Sequence, residues 1–187
     1  NTANGMYSLR SNTTGNYNTA NGYASLYSNT TGSYNTVNGY QSLYSNTTGI
    51  QNTANGYEAG RYITGGSTAN QTSLNSVYLG AETKAKADGD DNEIVIGYNT
   101  TGNGSNTVTI GNSEITDTYL NGNVSVTGGL TATGTIETSG DTISIATQKT
   151  PSTATATGTK GDIVHDTGYI YVCTATDTWV RTAITTW

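Results

Sequence analysis

The chain has 187 residues, of which 33% are hydrophobic, 24 are glycine and none is phenylalanine, and its formal net charge is −6. So thin an apolar supply excludes a conventional large globular core, and the Thr, Asn, Ser and Gly that replace it disfavour long helices. Fourteen tyrosines and two tryptophans in a regular pattern speak for order rather than disorder, and with one cysteine, Cys173, a small core is expected to be completed by oligomerisation and not by disulfides.

From the first residue the chain repeats. NTANG starts at Asn1, Asn18 and Asn52, with NTVNG at Asn35, so the period is seventeen. Leu9, Leu26 and Leu43 are in phase, as are Gly5, Gly22, Gly39 and Gly56, and SNTTG blocks end at Gly15, Gly32 and Gly49. A fourth, degraded copy is read as ending at Gly66. A repeat this short cannot hold a helical hairpin and suits one coil of a β-solenoid, with short strands over Tyr23–Tyr27 and turns at the Asn-Gly and Thr-Gly pairs. In-phase leucines are expected to stack inside. Tyr23, Tyr40 and Tyr57 form one expected column, and Tyr7 with Tyr27 and Tyr44 a second surface.

The rhythm continues through SVYLG, EIVIG and TVTIG, whose last glycines are Gly80, Gly97 and Gly111, the second interval being shorter than the first. Val77, Leu79, Ile94, Ile96, Val108 and Ile110 alternate as half-buried strands do. These stretches, each followed by an Asn/Thr/Gly turn, resemble the head repeats of trimeric autotransporter adhesins, and similar segments occur in phage fibres. The resemblance implies a left-handed parallel β-roll in each subunit of an exposed trimer, over residues 1–112, with a longer coil than the adhesin pattern.

From Leu120 the step shortens to six, through Gly122, Gly128, Gly134 and Gly140, with Val124, Leu130 and Ile136 in the same step. One aliphatic residue per hexad cannot close a core within one chain, but three chains about an axis can bury one row each. Residues 113–146 resemble the β-spiral or triple β-helix shafts of viral fibres, which assigns Val124, Leu130 and Ile136 to a trimer core. Residues 147–160, with the single proline Pro151, read as a linker. In 161–187, Asp166-Thr167-Gly168 supplies a turn, and Ile170–Cys173 and Trp179–Ile184 read as paired strands. The stretches GDI, YIYVCTATDTW and RTAI resemble the short C-terminal β-domain of phage tail fibres, and the amphipathic membrane anchor that would end an autotransporter adhesin is not recognisable here.

Few residues offer chemistry. Asp88, Asp90 and Asp91 have the oxygen ligands calcium prefers, without the spacing of the twelve-residue calcium loop, and a solvated turn is the competing reading. His165 is the one histidine, so within one chain it makes no two-imidazole site; three copies on a trimer axis could hold a metal ion, against a plain strand residue. Cys173, within YIYVC, reads as a small buried hydrophobe. Glu58, Glu82, Glu93, Glu114 and Glu137 are scattered without the pairing that glycoside hydrolysis uses. Tyr23, Tyr40, Tyr57, Trp179 and Trp187 are candidate receptor or glycan contacts, with stacking between coils as the alternative for the tyrosines. Flat threonine arrays of the ice-binding kind are not expected, because NTTG and NTANG are read as turns.

The expectation is therefore an all-β, homotrimeric, non-enzymatic fibre of a phage tail. It would carry no cofactor beyond a structural calcium or axial metal ion, and would sit on the virion among other tail or fibre proteins. Its partner would be a host-surface glycan or protein receptor. Nucleic acid is not expected, since an acidic chain lacks a basic stripe, nor is membrane insertion, since no stretch approaches the roughly 20 apolar residues of a spanning helix. The first residues lack the layout of an export signal, but a chain opening on Asn1 without Met can be a fragment. A bacterial surface adhesin or filament subunit and a glycan-degrading tailspike are the alternatives.

Overall fold

A computed structural model describes residues 1–129, 131, 157, 163–165 and 169–183, and the chain divides into two compact units, Asn1–Asn123 and Val124–Trp187. The described residues contain strands and turns and no helix.

In the first unit seven short strands stack in chain order into one parallel sheet. They are β1 (Thr2–Asn4), β2 (Thr19–Asn21), β3 (Thr36–Asn38), β4 (Thr53–Asn55), β5 (Val77–Leu79), β6 (Ile94–Ile96) and β7 (Val108–Ile110). The register aligns Thr2, Thr19, Thr36, Thr53, Val77, Ile94 and Val108, so each coil is one turn of a parallel β-solenoid. The intervals read from the repeat glycines, including the shorter last one, are the intervals between these strands.

The strands do not lie where the aromatic residues suggested. Thr-Ala-Asn of each NTANG is the strand, and Tyr23–Tyr27 is turn. Ala24 and Leu26 adopt left-handed backbone, at φ 51° and 52°. The two left-handed residues aim their N–H groups at opposite neighbours: Ala24 N–H donates back to Met6 O (2.8 Å) and Leu26 N–H forward to Ser42 O (3.0 Å). A left-handed L-residue costs about 1–2 kcal/mol, and here both neighbouring coils satisfy its backbone. The Asn-Gly pair closes the strand and turns the corner: Gly39 has φ 133°, and a Cβ there would collide with Gly56 O.

The fourth copy also differs from its reading. The register of β4 on β5 pairs Thr53 with Val77, a longer step than the regular coil, and Asn70-Gln71-Thr72-Ser73 takes the place of the NTTG block, since Thr47 N–H donates to Gln71 O and Asn52 Nδ2 to Ser73 O. Gly66 belongs instead to a turn between Tyr62 and Ala69, which form an antiparallel bridge.

Leu9, Leu26 and Leu43 stack inside with Ala20, Val37, Ala54, Tyr78 and Val95. The rest of the interior is polar. Asn18, Asn35 and Asn52 are buried, and each backbone N–H donates to the side-chain oxygen of the asparagine one coil earlier: Asn18 to Asn1 (2.8 Å), Asn35 to Asn18 (3.0 Å), Asn52 to Asn35 (3.0 Å). Ser76 and then Glu93 continue the row. A second row links Asn12, Asn29 and Asn46 through side-chain amides at 2.8 and 2.9 Å.

The second unit holds an antiparallel sheet in the order β10-β9-β8, from β8 (Ile163–His165), β9 (Tyr169–Ala175) and β10 (Thr178–Ala183). Trp179 pairs with Cys173 and Ala183 with Tyr169, in keeping with the strands read there. Tyr171, Cys173 and Trp179 form its buried cluster. Residues 113–129 carry no strand within the single chain. Of the expected shaft residues, Val124 is exposed, while Leu130 and Ile136 lie outside the described residues, as do most of the expected linker and the Asp166–Gly168 turn.

Candidate functional site

Each solenoid corner is followed by an outward position, and in consecutive coils Tyr23, Tyr40 and Tyr57 occupy it. Their rings stack at 5.3 Å between centroids, tilted by 11° and 5°, and each is about half exposed. Four positions further on, Arg10, Tyr27, Tyr44 and Arg61 form a second column. Tyr27 and Tyr44 stack at 4.9 Å, and a guanidinium closes each end, Arg10 5.5 Å from the Tyr27 ring and Arg61 4.9 Å from the Tyr44 ring. Tyr7 stands edge-on to both Tyr23 and Tyr27, joining the columns. A third pair, Tyr17 and Tyr34 at 4.9 Å, is absent from the sequence reading, although the two occupy the same phase of successive repeats.

This geometry limits what the tyrosines can do. Rings stacked within a column cover each other's faces, so its flank presents ring edges and hydroxyls, and a face is open only where a column ends. The exposed column ends at Tyr57, because the register of β4 on β5 places Ala81 at that position in the next coil. A small depression, about 90 Å³, is lined by Glu58, the chain neighbour of Tyr57, and by Tyr62, Gly66, Glu82 and Lys84. Glu58 is ion-paired with Arg61, and Lys84 Nζ donates to Glu82 O at 2.9 Å and to Asn99 Oδ1. The charge of Glu58 raises the Tyr57 phenol above its usual range. A depression lined by two carboxylates, an ammonium and a tyrosine carries groups that can hydrogen-bond the hydroxyls of a sugar.

The other candidates do not converge there. Asp88 accepts from Gln71 N–H and Thr72 N–H (2.7 and 2.8 Å), Asp90 from Ala87 N–H and Ser105 Oγ, and Asp91 from Asn75 Nδ2. Each thus holds its own or a neighbouring loop, and among the described residues no three His, Cys, Asp or Glu side chains gather into a metal-holding group. Glu93 is fully buried and accepts from Gly104 N–H (2.8 Å) and Lys86 N–H (3.3 Å); burial raises its carboxyl above the ordinary range. Glu114 is exposed, and Glu137 lies outside the described residues. His165 is half-buried on β8, and the buried Cys173 thiol donates to Ala175 O at 3.0 Å. Trp179 is expected from the sequence as a contact residue, but it is packed in the small sheet's core at 8% exposure, its ring unavailable to a ligand. Trp187 lies outside the described residues.

Over 53 residues, 28% of its length, the chain is 45% identical to the capsule K30/K69-specific depolymerase of Klebsiella phage K64-1. The match spans 7% of that relative's length. No family model matches the chain, and no solved structure does. The similarity lends no support to a non-enzymatic role, because the relative's name is that of an enzyme.

Proposed function

We propose that this chain is a structural, homotrimeric β-solenoid segment of a phage tail fibre that attaches the virion to a glycan on the host surface, with the open end of the tyrosine column at Tyr57 as its contact. The observation that carries the reading is the depression of Glu58, Tyr62, Glu82 and Lys84, with Tyr57, the chain neighbour of Glu58, as the last ring of the stacked column. The phage origin of the relative favours a virion over a cellular adhesin. Each contact can be weak, because linked copies engaging one surface gain avidity.

A glycan-degrading tailspike is the second reading. The relative's name favours it, as does the placement of Glu58 and Glu82 at one position of successive coils. One experiment separates the two: purified chain is incubated with capsular polysaccharides, and both bound glycan and newly released reducing ends are measured. Attachment predicts saturable binding that falls at least tenfold in Tyr57→Ala, with no reducing ends released. Release of reducing ends that is lost in Glu58→Gln or Glu82→Gln would establish the tailspike instead, and absence of both binding and cleavage across the panel would overturn the glycan site.

A further inference from the structure

We infer that Tyr17 and Tyr34 form a second saccharide-binding platform, at the opposite end of the solenoid strands from the column of Tyr57. The register of the sheet puts Tyr17, Tyr34, Gln51, Asn75, Asn92 and Asn106 at one position of six successive coils, just ahead of each strand. All six take left-handed backbone, with φ between 49° and 62°. The backbone does the same work in coil after coil: Tyr34 N–H donates to Asn16 O, Gln51 N–H to Ser33 O, Asn75 N–H to Ile50 O and Asn92 N–H to Leu74 O. Asparagine tolerates this conformation, whereas a bulky side chain at positive φ is an outlier. The fold therefore accepts asparagine here and has no need of tyrosine. Where asparagine stands, its side chain ties coils together, Asn75 Nδ2 donating to Asp91 Oδ1 (2.7 Å) and Asn92 Nδ2 to Asn106 Oδ1 (3.1 Å). The tyrosines stay outside: Tyr17 is 70% and Tyr34 58% exposed, and their rings stack on each other at 4.9 Å. Tyr7, also left-handed, is by contrast packed edge-on against both Tyr23 and Tyr27. An exposed aromatic pair held in strained backbone, at a position that asparagine fills elsewhere in the same solenoid, points to a use outside the fold.

The chemistry of the position selects the ligand. Residues 14–19, 31–36 and 48–53, which carry the two rings and Gln51 after them, hold no charged side chain. Among the described residues neither Tyr17 nor Tyr34 engages its hydroxyl, whereas Tyr27 Oη accepts from Arg10 Nη1 at 2.9 Å. Two phenols one coil apart, followed by the exposed amide of Gln51, offer hydroxyl donors and acceptors together with aromatic surface and no charge. That combination fits the hydroxyls and C–H faces of an uncharged saccharide. A phosphate-bearing ligand would meet no cation there, on a chain of net charge −6. The inference rests on the proposed attachment function for its class of ligand, but uses neither Tyr57 nor the depression beside Glu58.

The test gives both positions the residue that later coils carry, as Tyr17→Asn/Tyr34→Asn in the full chain. Binding to an array of uncharged and acidic bacterial polysaccharides is titrated for the parent, this variant and Tyr57→Ala, and thermal unfolding is followed in parallel. The inference predicts that the parent binds an uncharged polysaccharide and that its apparent Kd rises at least tenfold in the asparagine variant. The thermal midpoint of that variant should fall by no more than about 4 °C, because relief of the backbone offsets loss of the stack. Affinity lost in the asparagine variant but kept in Tyr57→Ala would establish the platform and overturn the Tyr57 contact. Affinity unchanged in the asparagine variant and lost in Tyr57→Ala would overturn the platform and leave the attachment reading standing. A larger fall of the midpoint would make the pair a structural stack, and binding confined to acidic polysaccharides would refute the class of ligand; either overturns the inference. A parent that binds no polysaccharide would overturn the platform and the attachment reading together.

Discussion

Asn35 is fully buried, yet all its side-chain polar atoms are satisfied: Nδ2 donates to Gly49 O and Asn18 Oδ1, and Oδ1 accepts from Asn52 N–H. Such rows perform in polar form what the leucines perform in apolar form, binding each coil to the next. Removing one side chain strands the backbone N–H that donates to it in the interior. Asn35→Ala leaves the buried Asn52 N–H unpaired, while Gly49 O keeps Asn46 Nδ2 and Asn18 Oδ1 keeps the residue 35 backbone N–H; it is expected to destabilise by about 1–3 kcal/mol, while Thr36→Ala at the exposed position beside it stays within about 0.5 kcal/mol, and urea midpoints of the two variants check this. Glu93 ends the asparagine row with a titratable group. Its folded carboxyl is raised by burial, so between the ordinary carboxylate range and that higher folded range the native state binds more protons than the unfolded chain. Its contribution to stability is thus greatest in acid and is lost as pH rises through the folded pKa. Glu93→Gln should remove that slope, and thermal midpoints from about pH 4 to pH 8 that fall equally in parent and variant would refute the assignment.

At the scale of the coil, the corner glycines define the element, because there the backbones of successive coils touch. Gly39→Ala should cost about 2–4 kcal/mol or more, since it combines a positive φ with a Cβ driven into Gly56 O. Gly65→Ala has a positive φ but open space around it, and should cost only about 1 kcal/mol. Denaturation of both variants side by side separates contact from strain. This distinction also shows how far the coil is legible beforehand. The in-phase leucines and glycines announce the length of the coil and its interior, because identical positions recur there. They do not set where in the coil the strand falls. Tyr and Leu carry strand propensity and Asn-Gly carries turn propensity, so local preferences point to Tyr23–Tyr27, whereas pairing between coils selects Thr19–Asn21. The same preference for reading asparagine as a turn residue hides the buried rows at Asn18, Asn35 and Asn52. Of the site, the column Tyr23–Tyr40–Tyr57 is readable, but not the depression, which depends on the long step from β4 to β5 that brings Glu82 and Lys84 beside Glu58 and Tyr62. Trp179 is misplaced because alternation along β10 does not say which face is covered.

For the whole molecule, the single chain supplies a narrow core of ten apolar residues in the solenoid, several of them alanine, and leaves aliphatic residues open at Leu79, Val108, Ile110, Ile115, Leu120 and Val124. On the proposed reading, other copies of the same chain cover these residues about a common axis. Attachment by avidity and the assignment of the hexad row to a shaft both depend on that association. The most direct measurement is the solution mass of the purified chain by light scattering over a range of concentrations. A homotrimer gives about three times 19.4 kDa at every concentration tested; a mass of one chain throughout would contradict it.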